Sequence, residues 1–60
     1  MPSDETRRVL KVFGVAVTTL EDTLDRHAPM EEIMKWDQEV AERMRELTAL
    51  VERLRSRRIQ

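Results

Sequence analysis

The sequence has no cysteine and no tyrosine, a single histidine, a single glycine and only two prolines. The missing cysteine excludes disulfides, thiolate zinc sites and a cysteine nucleophile. One histidine cannot make a histidine-rich metal centre within one chain, so no cofactor or metal is expected. Charge of one sign is also lacking: 11 basic and 12 acidic residues leave a net charge of −1, with no global pull toward nucleic acid or membrane. The longest apolar run, Val12 to Val17, is far too short to span a bilayer. The opening Met-Pro-Ser-Asp-Glu has neither the basic nor the apolar region of a signal peptide, which makes a cytoplasmic location the expectation.

Charged residues make up 38% of the 60 and apolar ones 40%. With so little glycine and proline, that is the composition of a helical bundle or coiled coil, not of a β domain or a disordered tail. Sixty residues make one domain, expected over 1–60, at the small end of what folds alone. A chain this size buries only ~60% of the surface its unfolded form exposes, and disulfides, metals or oligomerisation usually reinforce it. Only oligomerisation remains here.

The strongest pattern lies between Met30 and Arg58. Met30, Ile33, Val40, Met44, Leu47, Val51 and Leu54 recur at alternating spacings of three and four, with Asp37 in one seam position and Arg58 in another. This is the stripe of a long amphipathic helix, expected over about 29–58. A first helix, over about 3–27, is signalled by Ser3 as a cap, by Asp4 and Glu5 at the positive end of the helix dipole, and by Leu10, Phe13, Val17, Leu20 and Leu24. The β-branched run from Val9 to Thr19 also suits a strand. It does not alternate polar with apolar, and the helical spacing continues beyond it, so helix is the preferred reading. Val12 and Val15 lie off the main stripe and widen it beyond what one neighbouring helix can cover. Gly14 and Thr18 add a narrow strip suited to a close backbone approach.

The break is expected at 27–29, where Pro29 forces Ala28 out of the α region and suits the first turn of a new helix. The apolar register slips by one residue across it, which favours an antiparallel hairpin over one continuous helix. Folding the hairpin separates charge. Arg7, Arg8 and Lys11 join Arg53, Arg55, Arg57 and Arg58 at the open end, while Glu21, Asp22, Asp25, Glu31, Glu32, Asp37 and Glu39 gather toward the loop.

The fold class implied is all-α: an antiparallel two-helix hairpin that dimerises into a four-helix bundle. Its self-association residues are expected to be Leu10, Val12, Phe13, Val15, Val17, Leu20 and Leu24 with Ile33, Val40, Met44, Leu47, Val51 and Leu54. Met34 and Trp36 offer an adaptable surface for a protein partner. No catalytic constellation is present: His27, Asp25 and Glu31 lack the paired Glu-x-x-His arrangement of a di-metal bundle. The function expected is therefore non-catalytic, an assembly, adaptor or regulatory subunit that binds itself and another protein. The alternative is a dimeric nucleic-acid binder contacting phosphates through Arg7, Arg8, Arg53, Arg55, Arg57 and Arg58. The lack of interleaved aromatic residues counts against it.

Overall fold

Ser3 starts the first helix as a cap. Its hydroxyl accepts the backbone N–H of Thr6 at 3.1 Å, and its carbonyl accepts the N–H of Arg7 at the same distance. The first bond satisfies one of the amides that a helix start leaves unpaired, and the second is the helix's first intrahelical hydrogen bond. From this cap α1 runs Asp4–Asp25, and after a short turn α2 runs Met30–Ile59. These are the two elements of a computed structural model that describes residues 3–59; residues 1, 2 and 60 of the expected 1–60 unit lie outside the described residues. The β-branched run at 9–19 is helical throughout. Its threonines bond within the helix: Thr18 donates to the Gly14 carbonyl and Thr19 to that of Val15, at 3.0 and 2.7 Å.

The turn is built by backbone hydrogen bonds. The N–H of His27 reaches the Leu24 carbonyl at 3.2 Å, and that of Ala28 reaches the Thr23 carbonyl at 2.9 Å. His27 itself has a φ of 55°. Two nested bonds closing over a left-handed residue form a Schellman cap, a place where glycine is the usual occupant. Pro29 then takes the capping position of α2: its carbonyl accepts from Glu32 and Ile33 at 3.0 and 3.1 Å, while its own missing N–H costs nothing there. Glu31 and Glu32 follow in the first turn, and Arg57 and Arg58 close the last, both as the helix dipole favours. Arg26 bridges the turn, bonding Asp22 on α1 at 3.0 Å and Glu32 on α2.

The two helices pack against each other as an elongated hairpin of 48 × 19 × 12 Å. Its radius of gyration is 14.3 Å, against ~10 Å for a globule of this length. The seam within the chain is made by Val9, Ala16 and Thr23 on α1 and by Leu50 on α2, all at most 3% exposed. Phe13 and Leu20 flank it from α1, and Trp36, Val40, Arg43 and Leu47 from α2, each half-buried. An ion pair between Glu5 and Arg53 at 2.8 Å joins the helices at the open end. In the antiparallel register this sets, Val9 is about level with Leu50, Ala16 with Arg43, and Thr23 with Trp36. Small residues of α1 thus stand opposite large ones of α2, so the backbones can run close while the seam stays filled. Thr23, fully buried, donates its hydroxyl to the Leu20 carbonyl at 2.6 Å, so no polar atom is stranded there.

Candidate association face

Leu10, Val17 and Leu24 are the heptad-spaced members of the expected α1 stripe, yet none of them enters the seam. They are 51%, 39% and 52% exposed. On α2, Met30, Met34, Met44 and Leu54 are likewise exposed. The cause is angular. At ~100° per residue, Leu10, Val17 and Leu24 sit roughly a quarter-turn round α1 from Val9, Ala16 and Thr23. Ile33, Met44 and Val51 sit about as far round α2 from the line of Trp36, Arg43 and Leu50.

These two outward stripes lie on the same side of the hairpin. Counted along the chain, each is displaced in the direction of increasing rotation from its own seam. Because antiparallel helices turn in opposite senses when seen from one end, the two displacements bring both stripes to one broad face. In the register set by Glu5 and Arg53, Leu10 stands near the level of Val51, Val17 near Met44, and Leu24 near Ile33. Phe13 and Leu20, half-buried, join the α1 stripe to the seam. The remaining expected members are placed otherwise. Val40 and Leu47 are half-buried seam residues, Val12 is half-buried on the opposite flank, and Val15 is exposed beyond it. Leu54 follows the line of the seam but is exposed, level with Asp4 and Glu5 at the start of α1.

A compact protein of 7.1 kDa exposes ~4,100 Å², whereas this hairpin exposes 5002 Å².

Polar residues rim the face with opposite signs at its two ends. Helical phase places Arg55 and Arg58 beside it at the open end and Glu21 and Asp37 beside it toward the loop, with Arg7, Lys11, Asp25 and Glu52 one step further round their helices. Arg55 lies 3.6 Å from Glu52. Arg7, Arg58, Glu21, Asp25 and Asp37 have no ion pair among the described residues. Asp37 and Arg58 occupy apolar-stripe positions, and both are exposed, so no buried charge results.

The arginine cluster is partly occupied. Arg53 is held by Glu5, and Arg55 stands near Glu52, while Arg7, Arg8, Arg57 and Arg58 remain exposed with no ion pair among the described residues. Two other guanidinium groups are held above their ordinary pKa: Arg26 by hydrogen bonds first to Glu32 and then to Asp22, and Arg43 by hydrogen bonds first to Glu46 and then to Glu39. Arg43 is the seam's charged member. Its stem lies along the line of Trp36 and Leu50, while its head reaches Glu39 at 2.9 Å and Glu46 at 2.8 Å on its own helix.

Trp36 is half-buried in the seam line with the Lys35 ammonium 5.8 Å from its ring centre. Together with Pro29, Glu31 and Glu32 they line an open depression of about 480 Å³ beside the turn. It brings no nucleophile against a base, and Glu32 is already engaged by Arg26. Met34, the other expected partner-surface residue, is exposed elsewhere on α2. Among the described residues no three histidine or acidic side chains are grouped to hold a metal ion, and no helix is long and apolar enough to cross a membrane.

Sequence reasoning missed Val9, Ala16, Thr23 and Leu50 as the chain's own core. The signal that marks them is their seven-residue spacing, shared with Trp36 and Arg43, which small, polar or charged members conceal from a reading by hydrophobicity. No protein-family model, curated protein or solved structure matches this chain, and its function is therefore read from its own residues.

Proposed function

We propose that this protein is a non-catalytic helical hairpin acting through helix–helix association: it pairs with itself and presents helical surface to a protein partner, as a small assembly, adaptor or regulatory subunit. The observation that carries this reading is the continuous exposed stripe of Leu10, Val17 and Leu24 beside Met30 and Met44. Apolar surface gathered on one side of so small a protein marks an interaction site. The intrachain seam, with three buried apolar side chains among the described residues, gives a marginal fold on its own. Covering the outer face supplies the missing core and makes a four-helix bundle. Met34 and Met44 suit a partner of varied shape, because methionine side chains repack readily. A cytoplasmic setting belongs to the same reading.

Light scattering after size exclusion tests it. The wild-type chain is expected to elute as a dimer or larger, and Leu24→Glu, an exposed position in the hairpin, as a monomer. Equal masses for the two proteins would defeat the proposal.

A second reading, a dimeric nucleic-acid binder, rests on Arg7, Arg8, Arg57 and Arg58, which are exposed and without carboxylate partners among the described residues. It requires binding to a polynucleotide that weakens steeply as salt is raised. Indifference to polynucleotide at low salt would eliminate it.

A further inference from the structure

The outer face can meet a second copy of itself in two symmetric ways, and its charged rim distinguishes them. If the two-fold axis runs along the helices, the open ends come together. Arg7 then faces Arg55 and Arg58 of the other copy, while Glu21 and Asp25 face Asp37. If the axis runs across the helices, each open end meets the other copy's loop end, and Arg7 faces Asp25 in place of Arg55 and Arg58. Like charges set against each other across an interface act as a barrier to the wrong arrangement.

Resting on the self-association proposed above, we infer that the occupant of this face is a second copy lying antiparallel, with α1 against α1 about a two-fold axis near Val17. The α1 stripe is symmetric about that residue: Leu10 and Leu24 are each seven positions from it, so each meets the other across the axis. Arg7 comes within a turn of the other copy's Asp25. Gly14, where an added Cβ would meet nothing within 4 Å, lies on the α1 edge of the same face and leaves room for the second α1.

The absence of cysteine permits a direct test by spin labelling. Ser56→Cys, exposed near the open end and away from the face, is labelled and the distance between copies is measured by pulsed electron resonance. The antiparallel arrangement puts the two labels about one α2 helix length apart, ~45 Å, whereas open ends together put them ~20 Å apart, about two helix diameters. A distance near the longer value is expected. The shorter one in a protein that sedimentation shows to be dimeric overturns this inference and leaves self-association standing, whereas a monomer overturns both. Charge exchange gives the second arm. Arg7→Glu is expected to weaken the dimer about fivefold, counting two weak exposed pairs by symmetry, and Arg7→Glu with Asp25→Arg to restore it. Failure of the double variant to recover, with its helicity intact, contradicts the pairing.

Discussion

His27 is the residue most at odds with its backbone. Its φ of 55° places a Cβ-bearing residue in the left-handed region, at a cost of about 1 kcal/mol that glycine avoids. Its side chain is exposed and no role in the turn depends on it. His27→Gly is therefore expected to raise stability by about 0.5–1 kcal/mol, read from urea unfolding, because the gain at the cap exceeds the added freedom of the unfolded chain. Arg43 makes the opposite case. Its guanidinium is held by Glu39 and Glu46 at the surface while its stem fills seam space near Ala16. Arg43→Ala is expected to cost about 1 kcal/mol through lost packing, and Arg43→Leu to be neutral or stabilising, since an apolar side chain of similar reach fills the same space. Equal losses in the two variants would show that the ion pairs, and not the stem, matter there.

The two helices differ in how legible they were. The caps and the break could be read directly: Ser3 before two carboxylates, and Pro29 after a run of polar residues, are local signals of helix chemistry. The stripes Leu10–Leu24 and Met30–Leu54 were legible as faces, because large apolar side chains dominate a periodicity. What they face was not legible. Periodicity shows that a side chain prefers to be covered without showing by which helix, and the close seam was taken by Val9, Ala16 and Thr23 because small residues let α2 approach. That displaced Leu10, Val17 and Leu24 outward. Gly14 was expected to meet a close backbone, yet within the chain nothing lies within 4 Å of its Cβ position. Gly14→Ala is thus expected to stabilise α1 by about 1 kcal/mol on helix propensity alone. If the second copy packs against that edge, the same change weakens the dimer. Thermal unfolding at low and high protein concentration separates the two effects.

At the scale of the whole molecule, the hairpin is two helices in an elongated pair. Its helices cover each other along one seam of mostly small residues, while a second face carries many of the larger apolar side chains. The net charge near zero conceals a basic end and an acidic end, which on the proposed antiparallel pairing face each other's opposites. If folding is completed by pairing, stability must depend on concentration. A tenfold dilution through the micromolar range is therefore expected to lower the unfolding midpoint by several degrees, and raising the salt concentration to weaken association modestly by screening the rim.

The most direct test of this account is sedimentation equilibrium of the wild-type chain and of a Leu10→Ser/Val17→Ser/Leu24→Ser variant, with helicity followed by circular dichroism in the same samples. A hairpin completed by self-pairing is expected to give a helical wild-type dimer at micromolar concentration, and a variant that is monomeric with diminished helicity. A wild-type chain that sediments as a fully helical monomer at every concentration, indistinguishable from the variant, would contradict it.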